Sequence, residues 1–290
     1  MTTFELVAWE WRAMGTTWRI YHAGTVDRAT AAEIASLVEQ DEQRWSRFRP
    51  DSELQRLNRY PGEWQDVSAE TAELFEAAIR WHQETDGVFQ PLVGKHLIAW
   101  GYEHSLAEQP PGVGVSPAPA PVVDSQIRLD AGRHRVHIPR GAAVDLGGIA
   151  KGWSADRAAE RLRRRAPFGP LLVDAGGDIA AVRGVHTVAV AWSGDVTLQP
   201  GSAIATSGYD TRSWRNGDGV EAHHLIDPKT GAPAPRARAT VIADTVTAAD
   251  VLATSLAIRP ALIDGRTEAC LLDAGGRVRS TDLWRGTRAA

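Results

Sequence analysis

Cysteine is almost absent from this chain of 290 residues, and lysine is rare. The single cysteine, Cys270, excludes an internal disulfide, and its apolar neighbours predict a buried strand in which the thiol is structural rather than catalytic. The three lysines are Lys95, Lys151 and Lys229, so arginine provides nearly all of the positive charge. A disulfide scaffold is therefore excluded, and each lysine becomes a candidate for a specific role.

The sequence also lacks a strong charge excess and a long apolar run. The formal net charge is −4, which does not indicate a nucleic-acid or anionic-membrane partner. No stretch approaches the roughly 20 apolar residues that span a bilayer, and the N-terminal residues carry neither a basic and apolar leader nor an early cysteine for lipid attachment. We therefore expect a cytoplasmic protein with small-molecule or protein partners.

The composition, 43% hydrophobic and 23% charged, is that of an ordinary globular protein. Short strands, frequent hairpins and helices are mixed without strict alternation, which predicts an α+β fold with a mostly antiparallel sheet. We expect a single domain over residues 1–290, with a proline-rich surface loop at about 107–124.

Apolar residues at helical spacing predict helices over residues 25–48, over 69–87 after an N-cap at Ser68, from about Ala150, and over 247–258 with an N-cap at Thr247. Residues 9–23 alternate as in one strand that is interrupted by the glycine after Met14. The segment that begins at Ala142 is expected to be a strand, a turn and then a helix, and HTVAVAW is expected to lie beside the LLVDA strand.

The first candidate site is the turn in VDLGGIAKGW. Gly147 and Gly148 allow a ligand to approach the backbone, the following helix directs free N–H groups at the same place, and Lys151 adds a positive charge, which together suit a phosphate. A tight turn with a surface lysine is the alternative, because the spacing matches neither a P-loop nor a dinucleotide-binding fingerprint.

The second candidate is the helix TAADVLATSL. Asp250 and Thr254 lie four residues apart and therefore on one helical face, where a carboxylate and a hydroxyl can reach one hard cation such as magnesium. The alternative is structural, because an aspartate near a helix start interacts with the helix dipole and a mid-helix threonine often bonds to a carbonyl one turn back.

Three further segments carry polar groups. VDAGGDI places two glycines between aspartates, which fits either a site or a plain hairpin. Thr206 and Ser207, followed by Gly208, offer hydroxyls and a backbone N–H to a phosphate or ribose. His224, in HHLIDP, is a candidate general base, although a histidine on a strand is often only hydrogen-bonded.

Taken in order, these segments resemble the ApbE family of FAD:protein FMN transferases over nearly the whole chain. The matching segments are AMGTTW, SRFRPDSELQRLN, TDGVFQPLVGKHLIAWGY, VDLGGIAKGWSAD, LLVDAGGDI, AIATSGY, HLIDPKTG and ATVIADTVTAADVLATSL. Each segment alone is common, whereas the ordered set is specific.

The resemblance implies two related α+β subdomains with FAD in the groove between them. It implies a Mg²⁺-dependent reaction that moves FMN from FAD through its phosphate to a threonine or serine of an acceptor flavoprotein, releasing AMP. A Ser/Thr-Gly-Ala-Thr-like segment would be a natural target. Two alternatives remain: a FAD pyrophosphatase that yields free FMN, and a flavin-binding protein without catalysis.

The resemblance also assigns roles by position. The backbone oxygen of Gly148 and the side chains of Asp250 and Thr254 would hold the metal, with Asp250 essential for catalysis. His224 is proposed as the base, with Asp227 or a metal-bound water as rivals. FAD contacts would come from Met14, Phe48, Val88, Phe89, Gln90, Asp145, Lys151, Thr206, Ser207 and Gly208.

Two of these positions depart from the family pattern. Gln90 replaces the usual aspartate and so removes a charge, which weakens any metal or adenine role there. Phe48 replaces a frequent tyrosine, which removes a hydroxyl but leaves an aromatic face for stacking.

Overall fold

The computed structural model describes residues 5–105, 116–118, 120–122, 126–166, 168–263 and 265–286. The helices are α1 (Arg28–Trp45), α2 (Glu53–Arg59), α3 (Ala69–Glu84), α4 (Gly94–Ala99), α5 (Ala150–Arg165) and α6 (Val246–Ile258). The strands are β1 (Val7–Ala13), β2 (Thr16–His22), β3 (Trp64–Asp66), β4 (Arg128–Asp130), β5 (Arg135–His137), β6 (Leu171–Ala175), β7 (Ile179–Arg183), β8 (His186–Val190), β9 (Gly194–Leu198), β10 (Ala203–Gly208), β11 (Ser213–Arg215), β12 (Glu221–His223), β13 (Ile226–Asp227), β14 (Ala232–Pro233), β15 (Arg238–Ala243), β16 (Glu268–Leu272) and β17 (Val278–Ser280).

Eight strands form one large sheet in the order β1-β2-β6-β7-β10-β15-β16-β17, and each neighbouring pair is antiparallel. Side chains of β6 alternate between its two faces, as the period of a strand requires. Leu171 and Val173 pack with residues of α1 and α5, whereas Leu172 packs with the β8–β9 hairpin on the other face. The predicted α+β class with mostly antiparallel sheets is confirmed.

A second core lies beside this sheet. It combines α2, α3 and the small sheet β3-β5-β4 around buried residues such as Leu74 and Val136. The same cluster includes Ile149 and Ala150 at the start of α5 and Val251 of α6. The first turns of α5 and the middle of α6 therefore lie where the large sheet and the second core meet.

The chain around Met14 forms a hairpin rather than the predicted single interrupted strand. Strands β1 and β2 pair along their whole length, from Val7 opposite His22 to Ala13 opposite Thr16. Met14 and Gly15 have φ angles of 50° and 71°, so both adopt the left-handed conformation of a two-residue hairpin turn. This conformation is unusual for methionine and fixes the residue at the tip of the hairpin.

The segment before α5 is not the predicted strand. Apart from a single bridge between Ala143 and Val93, it forms no ladder. Its backbone groups bond elsewhere: Asp145 donates its N–H to Pro91, and Val144 bonds through its N–H and C=O with the side chain of Asn58. The predicted helix does begin at Ala150.

Two other expectations are wrong in detail. The segment HTVAVAW supplies β8, which among the described strands pairs with β9 and not with β6. The N-cap of α6 is Thr245, whose hydroxyl accepts a hydrogen bond from the N–H of Ala248. Thr247 lies inside the helix because its hydroxyl and its N–H both bond to the carboxylate of Asp156.

Helices α5 and α6 cross at very short range. A Cβ atom added to Gly152 would lie 2.9 Å from the Cα atom of Thr247 and 2.9 Å from the carbonyl oxygen of Val246. The half-buried Asp156 carboxylate accepts the N–H groups of Val246 and Thr247, which satisfies two free donors at the start of α6. The crossing therefore fixes α6 against α5.

Cys270 is a free, buried cysteine in β16, as predicted. Most of the proline-rich segment at 107–124 lies outside the described residues. Within its described part, Val122 donates its N–H to the carbonyl oxygen of Pro228. In the described parts of the chain, we find no helix that is long and apolar enough to cross a membrane.

Candidate functional site

Four elements bring charged and hydroxyl groups to one place. Lys151 lies in the first turn of α5, and Asp250 and Thr254 lie one turn apart on α6. Ser207 lies near the end of β10, and Asp178 immediately precedes β7. The crossing of α5 and α6 determines how these side chains meet.

A buried cluster of one ammonium group and two carboxylates forms the centre. Lys151 Nζ contacts Asp178 Oδ2 directly and lies 3.7 Å from Asp250 Oδ2. Asp178 is only 2% exposed and Asp250 only 4%, and neither Oδ2 atom has a well-oriented hydrogen bond within the described ranges. Burial lowers the pKa of Lys151, whereas the charge of Asp250 opposes that effect.

The residues predicted to hold a metal lie together. Thr254 Oγ1 is 2.8 Å from Ser207 Oγ, and a Cβ atom built on Gly148 would lie 3.7 Å from Thr254 Cγ2. No three His, Cys, Asp or Glu side chains converge as a metal site in the part of the chain that the structure describes. A cation here would depend on the Asp250 carboxylate together with a hydroxyl and a backbone carbonyl, which are oxygen ligands suited to magnesium.

Asp145 lies next to this cluster and is held at both oxygens. Its Oδ1 accepts the N–H of Gly147 at 2.8 Å, and its Oδ2 accepts Arg47 Nε at 2.8 Å. The Arg47 side chain is only 4% exposed, and its Nη2 has no hydrogen-bond partner in the described structure. The ion pair therefore fixes the Asp145 carboxylate beside the glycine turn.

Aromatic rings surround the Arg47 guanidinium. It lies 4.5 Å from the ring centroid of Phe48 and 4.9 Å from that of Tyr102. Tyr102 stacks on Trp214 with centroids 4.9 Å apart, and burial raises the pKa of the Tyr102 hydroxyl. Phe48 remains 37% exposed, so it presents an aromatic surface that a planar ligand could cover.

His224 lies beside Arg212 in the connection after β12. Its ring Nδ1 is 3.3 Å from the carbonyl oxygen of Arg212, so Nδ1 carries the hydrogen in a hydrogen bond and Nε2 keeps a lone pair. Burial and the positive charge of Arg212 lower the pKa of His224 to about 3, which keeps the ring neutral near pH 7. Arg212 Nη1 lies 3.9 Å from a Cβ built on Gly147, so its guanidinium faces the glycine turn.

Phe89 also borders the site, because its Cε2 lies 3.4 Å from a Cβ built on Gly148. Gln90 Oε1 accepts the N–H of Leu92, and Val88 is fully buried in the core between α6 and β15. Met14, at the tip of the first hairpin, donates its N–H to Glu42 at 2.7 Å.

The Thr-Ser-Gly segment presents its groups in different directions. Thr206 Oγ1 bonds to Thr240 Oγ1 at 2.8 Å across β10 and β15, whereas Ser207 bonds to Thr254. Neighbouring residues of a strand face opposite sides, so only Ser207 points at the α6 cluster. A side chain at Gly208 would meet Arg238 Cγ at 2.8 Å.

Sequence reasoning missed Arg47, Tyr102 and Arg212, and left Asp178 without a role. Asp178 could have been found, because VDAGGDI already stood out as a pair of aspartates around two glycines. Arg47 and Arg212 gave no such signal, since arginines are numerous and neither has a diagnostic spacing.

Comparison with known proteins agrees with the architecture. A model of the ApbE family matches residues 14–263. The FAD:protein FMN transferase of Vibrio cholerae serotype O1 is 32% identical over 267 residues, which cover 84% of this chain and 79% of that protein. The corresponding protein of Haemophilus influenzae is 28% identical over 87% of this chain and 80% of its own length.

Solved structures of ApbE proteins also share the architecture of this chain. The ApbE protein of Thermotoga maritima has a TM-score of 0.82 at 27% identity, with 96% of this chain and 97% of that chain covered. The flavinyl transferase ApbE of Pseudomonas stutzeri has a TM-score of 0.74 at 20% identity, with 98% and 97% covered, and supports the fold alone. The resemblance noted in the sequence is thus confirmed, and the chain belongs to the ApbE family.

Proposed function

We propose that this protein transfers FMN from FAD to a threonine or serine hydroxyl of an acceptor flavoprotein, in a Mg²⁺-dependent reaction that forms a phosphoester and releases AMP. The curated relatives are named FAD:protein FMN transferases, which supports transfer of FMN from FAD to a protein. The observation that carries the proposal is the buried meeting of Lys151, Asp250 and Thr254 beside the glycine turn at Gly147 and Gly148. This arrangement suits a diphosphate and a hard cation.

FAD would lie across the turn. The exposed face of Phe48 offers stacking to a planar ring, and Asp145, fixed by Arg47, offers a charged hydrogen-bond acceptor to a ring or ribose N–H or O–H group. Lys151 and Arg212 would supply positive charge to the diphosphate, because both lie next to the turn.

The donor set around Asp250 fits magnesium. Among the described residues, the buried Asp250 Oδ2 atom has no regular hydrogen bond, and neutral oxygen atoms would come from Thr254, one turn later on α6, and from Gly148, whose Cβ position lies 3.7 Å from Thr254 Cγ2. When bound, the ion would neutralise charge on the diphosphate oxygens. In this proposal, the chain contributes the orientation of these ligands.

The chemical step needs a proton acceptor. The acceptor hydroxyl oxygen attacks the FMN phosphorus, the bond from that phosphorus to the oxygen of AMP breaks, and the hydroxyl proton moves to His224 Nε2. His224 is oriented for this role by the hydrogen bond from Nδ1 to the Arg212 carbonyl. Its low pKa makes it a weak base in the free protein, and the negative charge of bound FAD would raise that pKa toward the useful range. Asp227 is the rival base among the side chains.

Two alternatives use the same site: hydrolysis of FAD to FMN and AMP, and binding of FAD without cleavage. The buried Asp250 beside Thr254 disfavours the second, because binding alone does not need a cation site. We also infer that the acceptor carries a Ser/Thr-Gly-Ala-Thr-like segment.

Mass spectrometry of a candidate acceptor tests the proposal. The acceptor is incubated with the protein, FAD and Mg²⁺, and a metal-free sample is the control. We expect a metal-dependent gain of one FMN less one water on a threonine or serine, with AMP released in equal amount. Free FMN and AMP without a labelled acceptor would favour hydrolysis, and intact FAD would favour binding alone.

A further inference from the structure

Asp178 is a buried carboxylate that the proposed reaction does not use. It follows a turn in which Gly176 and Gly177 have positive φ angles, and its carbonyl accepts the N–H of Ala175 at 2.8 Å. A Cβ on Gly176 would collide with the side chain of Thr16, so the turn packs closely against β2. Asp178 is therefore held in place by rigid backbone on both sides.

The ammonium group of Lys151 lies closer to one of two neighbouring carboxylates than to the other. Its Nζ contacts Asp178 Oδ2 directly, whereas Asp250 Oδ2 is 3.7 Å away. In the described residues, no other Lys or Arg forms an ion pair with Asp178 or Asp250. The neighbouring Arg19 pairs with Asp174. A buried charge without a partner is costly, so the position of this one ammonium decides which carboxylate remains free.

We propose that Asp178 is a positioning residue that draws Lys151 away from Asp250 and so keeps the Asp250 carboxylate available for a divalent cation. This inference deepens the proposed function and rests on it. An ammonium paired fully with Asp250 would neutralise the one side-chain charge that attracts the cation. Held by Asp178, Lys151 remains beside the site, where it can still meet an anionic ligand.

Mn²⁺ titration followed by electron paramagnetic resonance tests this without turnover. We expect Asp178→Asn to weaken Mn²⁺ binding about tenfold, because Lys151 then pairs with Asp250. The matched control is Asp244→Asn, the same change at an exposed position just before α6, which should bind Mn²⁺ like the parent. Circular dichroism checks that each variant is folded.

A double variant separates this effect from structural damage. Adding Lys151→Met to Asp178→Asn removes the competing ammonium, so Mn²⁺ affinity should return to the parent value or exceed it. Lys151→Met alone should also bind Mn²⁺ more tightly, and it serves if Asp178→Asn does not fold. Unchanged binding in Asp178→Asn, or weaker binding in Lys151→Met, would overturn the inference.

The transfer assay distinguishes this result from failure of the proposed function. In Asp178→Asn, the Mg²⁺ concentration for half-maximal FMN transfer should rise about tenfold, while the KM for FAD at saturating Mg²⁺ stays near the parent value. If the parent transfers no FMN but the Mn²⁺ affinities follow the pattern above, the transferase is rejected and the Asp178 arrangement stands. If the parent binds no Mn²⁺, the inference is overturned.

Discussion

Asp250 is the residue whose removal should affect the proposed reaction most. Asp250→Ala removes the single carboxylate in the predicted cation set, and we expect the rate of FMN transfer to fall ~100-fold or more. Asp244→Ala, an exposed aspartate just before α6, is the matched control and should remain active. An active and folded Asp250→Ala enzyme would contradict the metal assignment.

His224 should govern proton removal from the acceptor hydroxyl. His224→Gln keeps a polar group of similar size but cannot accept the proton, so we expect kcat to fall about 10²- to 10⁴-fold with little change in FAD binding. Stopped-flow assays and fluorescence titration measure the two quantities. His134→Asn, at an exposed left-handed position, is the control, and near-normal transfer by His224→Gln would direct attention to Asp227.

At this scale, the sequence predicted residues but not their partners. The spacing of Asp250 and Thr254 and the glycines before Lys151 identified groups that the structure brings together. The pairing of Arg47 with Asp145 joins residues 98 positions apart, and no local pattern contains that information. Long-range ion pairs depend on the tertiary fold, so periodicity and motif reasoning do not reach them.

At the scale of elements, the crossing of α5 and α6 determines how the site residues on these two helices lie relative to each other. Gly152→Ala would place a methyl group 2.9 Å from backbone atoms of α6, which must then move away. We expect a loss of stability of about 1–3 kcal/mol and weaker Mn²⁺ binding, because Lys151 and Asp250 separate. Urea unfolding measures the first effect, and Glu160→Ala on the exposed face of α5 is the control.

The pairing of α1 with α5 should make stability depend on pH. Burial raises the pKa of Asp41 to about 6, although Arg157 and Ser154 oppose the shift. The folded state therefore holds a proton that the unfolded state releases near pH 4, so this contribution to stability is present below pH 4 and is lost as the pH rises to 6.

Asp41→Asn removes that titration. From pH 4 to pH 6.5, the parent should lose stability relative to Asp41→Asn by on the order of 1 kcal/mol, measured by urea unfolding at each pH. A constant difference between the two proteins over this range would show that Asp41 has an ordinary pKa.

Elements were easier to predict than their arrangement. Ser68 capped its helix as expected, and Ala150 began the next one, because caps and periodicity are local. The predicted N-cap at Thr247 was wrong, because the N–H and hydroxyl of Thr247 both donate hydrogen bonds to Asp156 of another helix. The isolated β8–β9 hairpin was also missed, because an apolar alternation does not say which sheet a strand joins.

At the scale of the molecule, the site joins the two large cores. Residues of α5 and α6 belong both to the sheet core and to the second core, so a ligand bound between them should stabilise both together. We expect FAD with Mg²⁺ at about 100 times its Kd to stabilise the fold by ~2.7 kcal/mol, visible as one shifted unfolding transition. Two separate transitions, with only one shifted, would contradict this coupling.

The distances along the chain between partners have a consequence for biosynthesis. Arg47 can form its ion pair only after Asp145 has been synthesised. Lys151 Nζ lies 3.7 Å from Asp250 Oδ2, and Asp250 belongs to α6, which comes late in the sequence. A ribosome that has translated as far as Gly217 has therefore made five strands of the large sheet but none of α6. A nascent chain of that length lacks Asp250, so the proposed transfer of FMN from FAD would begin only after α6 has been synthesised.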